Sequence, residues 1–349
     1  MKEIPPLCCK LFYGGMDMYL PRFAYERPTT LRDASTLLRE NAFKNALLGG
    51  GTDLLPRMKY GLAEPERLIS LKGLEVAPPK ILSEGELRLS GALTLAALAS
   101  SPEVAQKAPL LAKAASKVAT KEIRNVATLA GNLCQDTRCL YFNQSHTFQF
   151  VEPCFKRGGD FCYFVPKGKK CWAVYMSDTA PALICLGAKI EVTGSKGATI
   201  IDLENLYSGD PKHPLNIKHD DIVSAIIVPR SRGSQGCGFS KLTMREGIEF
   251  AALSVAVLLE TTDDLKTCSR ARITLGSVSS APVRGLKGES LLEGESISKP
   301  LLKDVVREIC KEVNVIPHHG YSRSYIAGML KIEALNALTR AVNQLTGGR

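Results

Sequence analysis

Cysteine is the residue type whose number and spacing in this chain most invite chemistry. Eleven occur in 349 residues, and five of them, Cys134, Cys139, Cys154, Cys162 and Cys171, fall within a stretch of 38. The N-terminus has no sustained apolar core and does not read as a signal peptide. Cysteines of a reducing compartment serve as buried thiols, metal ligands or redox groups. The last four of the crowded set are 15, 8 and 9 positions apart, with no C-x-x-C pair. Structural zinc sites take their ligands in close pairs, whereas iron–sulfur clusters accept four thiolates at more varied spacing. On spacing alone, cluster, zinc and plain thiols all stand open. Cys185, Cys237, Cys268 and Cys310 sit singly in apolar contexts and read as core packing; Cys8 and Cys9 belong to a terminal tail.

A second chemical signal is the run Leu47-Leu48-Gly49-Gly50-Gly51-Thr52-Asp53-Leu54, three glycines between a strand and a helix start. Glycine lets backbone N–H groups approach a phosphate closely. The run is neither a G-x-G-x-x-G fingerprint nor a Walker loop, and alone it serves equally as a tight turn. Thr128 to Asn132 forms another small-residue turn, and Asp178 lies in Ser177-Asp178-Thr179-Ala180-Pro181-Ala182-Leu183. Two such turns with hydroxyl, amide and carboxylate groups suit a long dinucleotide. His318-His319 reads as an exposed loop, His146 as a surface histidine and Asp220-Asp221 as a turn before a strand. No nucleophile elbow, HExxH helix or triad order occurs.

These groups need elements to position them. Lys+Arg 45 against Asp+Glu 35 give a net charge of +10, with 45% hydrophobic and 23% charged residues. Such a composition excludes wholesale disorder. No run of 18 apolar residues suggests a membrane span, and a cytoplasmic location is expected. Basic residues concentrate at Lys156, Arg157, Lys167, Lys169 and Lys170, as a solvated surface or a face for acidic partners. Thr29 or Thr30 caps a helix with Leu31, Ala34, Leu37 and Leu38 on one face. A strand Ala46–Leu48, a helix Thr52–Lys59 and a strand near Leu68–Leu71 complete a small α/β unit. A strand Glu86–Ser90, an alanine-rich helix Glu103–Ala119 and β-like segments Ala180–Val192 and Ile222–Val228 follow, then a linker Pro229–Gly238. Segments Phe239–Arg245, Ala251–Glu260 and Arg270–Val278 suggest an antiparallel sheet. Helices Leu301–Val313 and Tyr325–Leu345 pack on it through Ile326, Met329, Leu330 and Leu338. The expected class is α+β, with a tail at 1–16, units at 17–74 and 75–230, and a C-terminal unit at 238–349.

The ordered set Gly-Gly-Gly-Thr-Asp-Leu-Leu, Thr-Leu-Ala-Gly-Asn and Ser-Asp-Thr-Ala-Pro-Ala-Leu resembles the FAD-binding subunit of the molybdenum hydroxylases, the xanthine dehydrogenase and carbon monoxide dehydrogenase group. The likeness continues through Phe239-Ser240-Lys241 with Arg245, Ala271 to Gly276 and Pro282-Val283-Arg284, covering residues 18 to 345. It implies a two-part FAD-binding domain of the PCMH type followed by a C-terminal α+β domain. Leu47, Leu48, Gly49, Gly50, Gly51, Thr52, Asp53 and Leu54 would wrap the FAD diphosphate. Thr128, Gly131 and Asn132 would line the cofactor, with Asp178 near its sugar or ribityl hydroxyls and Val223 and Lys241 approaching the flavin ring. Ala130 stands where the family has a second glycine.

In most of that family the Ser-Asp segment follows the Gly-Asn turn closely; here 45 positions separate Asn132 from Ser177. Loops this long without regular structure are functional or disordered, and a bound metal centre would hold one together. The passage Asn132 to Cys139, with Tyr141 to Ser145, resembles the β subunits of 4-hydroxybenzoyl-CoA reductases. Those are distinguished within the family by a [4Fe–4S]-bearing insertion at this point, here 134–175. The resemblance implies Cys139, Cys154, Cys162 and Cys171 as cluster ligands; Cys134, a fifth candidate, lies beside the FAD turn and reads as a packing thiol. It further implies electron flow from ferredoxin through this chain to a [2Fe–2S] small subunit and a molybdenum-cofactor large subunit, which would remove the phenolic hydroxyl of 4-hydroxybenzoyl-CoA. No catalytic residue is then expected on this chain. The alternatives are a related dehydrogenase hydroxylating another aromatic or acyl-CoA substrate and, from another class, a zinc-stapled basic module binding nucleic acid.

Overall fold

The computed structural model describes residues 20–41, 44–146, 152–165, 167–231, 233–245, 249–262 and 266–347; Cys8 and Cys9 lie outside them. The first unit is β1 (Ala24–Glu26), α1 (Leu31–Glu40), β2 (Asn45–Leu48), α2 (Leu54–Lys59) and β3 (Arg67–Ser70). Its three strands are parallel in the order β1-β3-β2. Thr30 is the cap of α1, accepting from the Asp33 amide at 3.1 Å, and Ala34 and Leu38 bury against Ile69 and Ile222. Because β2 is parallel to β3, its C-terminal end opens into the glycine turn, the usual ligand-facing end of such strands.

The second unit holds β4 (Lys80–Ile81), β5 (Leu87–Ser90), β6 (Lys189–Gly194), β7 (Gly197–Asp202) and β8 (Ile222–Val228), antiparallel in the order β4-β5-β8-β6-β7. The turn at Asp220-Asp221 leads into β8 as expected, with the Asp221 amide donating to the Lys218 carbonyl at 3.1 Å. Helices α3 (Leu95–Ser100), α4 (Pro102–Lys107), α5 (Pro109–Ser116), α6 (Lys121–Val126), α7 (Leu129–Leu133) and α8 (Thr179–Cys185) cover it. Two expectations are corrected here. The alanine-rich segment is two helices, because Pro109 lacks an N–H and restricts Ala108, whose φ/ψ of −141°/58° ends α4. Ala180–Val192 is a helix, a turn and then β6; every residue of α8 is buried, so the run carries no 3.6-residue period to betray it.

The third unit is β9 (Ser234–Leu242), β10 (Leu253–Thr261), β11 (Cys268–Gly276), β12 (Val283–Arg284), α9 (Leu286–Leu292), α10 (Lys299–Glu312) and α11 (Arg323–Leu345). The sheet is antiparallel in the order β12-β11-β10-β9. The expected linker Pro229–Gly238 is strand from Ser234 onward. Gly236 and Gly238 lie under α11, where a Cβ would come within 2.0 Å of the Ala341 carbonyl and 1.8 Å of the Ala337 carbonyl. Glycine inside a regular element costs ~0.5–1 kcal/mol. The close approach seats Ile326, Leu330 and Leu338 in the core, at ~1.5–3 kcal/mol each, so the packing wins.

The histidine pair is also corrected. His318 is 4% exposed, with Nδ1 at 2.9 Å from the Ile316 carbonyl and its pKa lowered by burial; only His319 faces solvent. Ile316 packs on Val174 and Met176, so this loop props the segment by which the cysteine insertion returns. Among the described residues no helix is long and apolar enough to cross a membrane.

Candidate functional site

The glycine turn and the Thr128 turn interlock. A Cβ on Gly50 would sit 2.2 Å from the Val126 carbonyl oxygen, and one on Gly49 would sit 3.0 Å from Thr128 Oγ1. Thr128 in turn caps α7, accepting from the Gly131 amide at 3.1 Å. Ala130 donates its N–H to the Gly91 carbonyl at 2.9 Å. Its methyl is tolerated because Gly91 opposite has none: a Cβ there would lie 3.1 Å from that of Ala130 and 2.4 Å from the Val223 carbonyl. Gly49, Gly50, Thr128 and Gly131 thus form one backbone-walled cradle; Gly51 faces the Leu48 and Leu55 side chains, and Val223 meets Gly91 through its carbonyl while its side chain is buried in the core. Asp53 departs from the cradle: its carboxylate turns to the cysteine insertion, as described below.

Asn132 anchors the next group. Its side-chain oxygen accepts from Ser177 Oγ at 2.7 Å and from Thr179 Oγ1 at 2.6 Å, so the two ends of the insertion meet. Asp178, between those hydroxyls, pairs with Lys241 of β9 at 2.7 Å, the side chains being 5% and 8% exposed. Lys241 also donates to the Lys117 carbonyl at 2.9 Å. Burial raises the Asp178 pKa and Lys241 opposes the rise. The second carboxylate oxygen, Oδ1, is buried with no partner among the described residues. A buried acceptor left this way calls for a donor, and a polyhydroxyl cofactor supplies such donors. Ser177 and Thr179 were not singled out in sequence; the only signal was their position either side of Asp178.

The insertion leaves and returns through a narrow neck. Arg138 and Val174 exchange backbone hydrogen bonds at 2.7 and 2.8 Å, and Tyr175 Oη donates to the Leu133 carbonyl at 2.7 Å. Beyond the neck, Cys139, Cys154, Cys162 and Cys171 line one cavity of about 20 Å³, walled by Phe142, Phe161, Tyr163, Phe164 and Trp172. All four are free thiols. Burial raises Cys139 and Cys171, and in each case two of the other three sulfurs push the same way. One backbone amide points at a sulfur, Val165 donating to Cys162 Sγ at 3.4 Å, while the Phe142 amide donates to the Cys139 carbonyl at 3.1 Å. Amide donors and an apolar shell are what a thiolate-ligated cluster uses for stabilisation. Among the described residues no three His, Cys, Asp or Glu side chains are placed to hold a metal ion; what joins the four thiols is the one cavity they line. Cys134 lies outside the ring, against the core of the second unit, and burial pushes its thiol up to about 12. Cys185 and Cys237 are likewise pushed up to about 12 and Cys268 to about 11, as expected of packing thiols.

A charged chain invisible to sequence spacing joins turn and insertion. Asp53 pairs with Arg138 and accepts from the Asp136 amide at 3.4 Å. Arg57, on the helix after the glycine turn, reaches Asp136 at 3.1 Å. Asp136 then holds Lys156 at 2.7 Å, and Lys156 is only 5% exposed, which removes it from the expected basic surface. Lys167, Lys169 and Lys170 remain exposed.

Residues 21–231 match the family described as FAD binding domain in molybdopterin dehydrogenase, and residues 239–331 match the CO dehydrogenase flavoprotein C-terminal domain. The chain is 27% identical to the carbon monoxide dehydrogenase medium chain of Hydrogenophaga pseudoflava over 325 residues, 92% of this chain and 98% of that one. It is 29% identical over 277 residues to an aldehyde oxidoreductase FAD-binding subunit of Escherichia coli, covering 75% and 83%. The solved carbon monoxide dehydrogenase from Hydrogenophaga pseudoflava has the same fold, with a TM-score of 0.77 at 22% identity over 93% of this chain and 99% of that one. The glycine cradle and the unpartnered Asp178 acceptor fit FAD. The chain belongs to the FAD-binding subunits of the molybdenum hydroxylase, or molybdopterin dehydrogenase, family.

Proposed function

We propose that this chain is the electron-transfer subunit of a complex that reduces 4-hydroxybenzoyl-CoA to benzoyl-CoA. It would take electrons from ferredoxin and deliver them through FAD to a [2Fe–2S] subunit and a molybdenum-cofactor subunit. The observation that carries this reading is the ring of Cys139, Cys154, Cys162 and Cys171 around one aromatic-walled cavity, at an insertion the resemblance assigns to a [4Fe–4S] cluster. Flavin bridges two-electron and one-electron chemistry and a cluster carries one electron at a time, which is the division of labour such a subunit needs.

The chain's own residues have three tasks. The Gly49–Gly51 backbone and the Thr128–Asn132 turn would hold the diphosphate and its neighbouring sugar. Asp178, kept in place by Lys241, would accept from cofactor hydroxyls, and Lys241 and Val223 would stand on the flavin side. The aromatic wall would keep water from the four thiolates. Exposed Lys167, Lys169 and Lys170 beside the cavity suit an acidic ferredoxin.

A second reading, a dehydrogenase acting on another aromatic or acyl-CoA substrate, has support from relatives named for other substrates, such as the nicotine 6-hydroxylase medium subunit of Paenarthrobacter nicotinovorans. The test is anaerobic purification with flavin, iron and sulfide assayed on one sample. The expected result is one FAD with about four irons and four sulfides, and loss of the iron alone in Cys162→Ala. FAD without iron in the wild type would leave the family intact and overturn the cluster; turnover of another substrate but not 4-hydroxybenzoyl-CoA by the assembled complex would favour the second reading.

A further inference from the structure

We propose that the buried ammonium of Lys156 raises the reduction potential of a cluster held by the four cysteines, and that Asp136 lowers it. This rests on the cluster reading above and concerns two side chains that ligate nothing. Lys156 lines the same cavity as the cysteines. Its ammonium donates to Asp136 Oδ1 at 2.7 Å, to the Thr137 carbonyl at 3.1 Å and to the Pro211 carbonyl at 3.0 Å, with Thr137 Oγ1 beside it. It also stands 4.9 Å from the centre of the Phe142 ring, part of the cavity wall. So many acceptors, at 5% exposure, leave the charge no route to swing into water.

Adding an electron to a cluster makes it more negative. A fixed cation nearby favours that step and a fixed anion opposes it, more strongly in a water-poor pocket than across solvent. The exposed Lys167, Lys169 and Lys170 are screened by salt and contribute far less. Asp136 is itself held by Arg57 at 3.1 Å, so its charge is fixed too and partly offsets Lys156. The two residues therefore act on a one-electron centre with opposite sign, whereas a purely structural tether would behave alike when either end is cut.

The experiment is a redox titration of the full chain, purified anaerobically with its iron, following the cluster by EPR and the flavin by absorbance. Lys156→Met is expected to shift the cluster equilibrium toward the oxidised form by about tenfold, which is 59 mV for a one-electron couple. Lys156→Arg restores the wild-type midpoint, and Asp136→Asn moves it upward, while the flavin midpoint stays put in all three. If Lys156→Met does not take up iron, the sign of the Asp136→Asn shift decides. Equal midpoints in iron-loaded variants, or shifts of the same sign, overturn the inference and leave the cluster reading standing. A wild-type chain without iron ends both.

Discussion

The glycine turn and the cysteine insertion reach a binding capacity by opposite routes. The turn works by what is missing: at Gly50 even a methyl would sit 2.2 Å from the Val126 carbonyl oxygen, and the clearance comes with the fold. The insertion works by what is present: four thiols, an aromatic wall and a buried lysine, hung on a neck of two backbone hydrogen bonds between Arg138 and Val174. A preformed cradle has little ordering entropy left to lose on binding. A long loop bears a large one, and a metal centre that fills it supplies folding free energy. The dinucleotide cradle is thus built into the fold, whereas the proposed cluster would itself have to order the insertion.

The sharpest way to break the turn side is through the ion pair behind it. Asp178 has a folded pKa raised by burial, above an unfolded value of about 3.9. A raised carboxyl binds its proton better when folded, so its contribution to stability is full below the unfolded pKa and is lost as pH rises through the folded one. Lys241 limits that loss at neutral pH. Lys241→Met leaves a carboxylate buried without its cation, a cost of ~3–5 kcal/mol, and drives the Asp178 pKa further up. Urea denaturation should show the largest deficit near pH 8 and partial recovery near pH 5. An equal deficit at both would mean that Lys241 acts by packing its stem, not by charge.

What was legible in the sequence divides along the same line. The turn announced itself because backbone clearance demands glycine, and α1 and α11 because half-buried helices show a period. The segment α8 hides because burial on all sides erases the period, whereas Pro109 states the break between α4 and α5 openly. In the insertion the four sulfurs were readable by type and count, but not their arrangement. Lys156 looks in sequence like the surface lysines around it, because charge alone says nothing of burial. Its partners Asp136 and Pro211, like the pairing of Arg57 with Asp136, depend on the neck that brings distant segments together.

A single methyl tests whether the cradle is as tight as its backbone suggests. Gly50→Ala must push the Val126 carbonyl aside, and overpacking of this kind costs ~1–3 kcal/mol. If the strain falls on the bound form, FAD affinity drops about ten- to hundredfold, measured by flavin fluorescence on titrating the apoprotein. Any iron held by the proposed cluster should stay at the wild-type level. Concerted loss of iron would show that the two regions are one cooperative unit.

The smallest effect probes the joint between them. Asp53 follows the glycines, yet its carboxylate pairs with Arg138 at the neck of the insertion, the two side chains being 22% and 17% exposed. Partial exposure screens the pair, so Asp53→Asn should cost only about 1 kcal/mol, within the range of surface pairs. That is a factor of about five in local opening, seen as faster protease cleavage between residues 140 and 170 in chain stripped of iron. FAD affinity should hold, because the Asp53 carboxylate is turned to Arg138 and the cradle is walled by Gly49, Gly50 and the Thr128 turn. A fall in FAD affinity as large as that of Gly50→Ala would instead make the Asp53 side chain part of the dinucleotide site, and the neck would then be positioned by the cofactor rather than by the insertion's own contents.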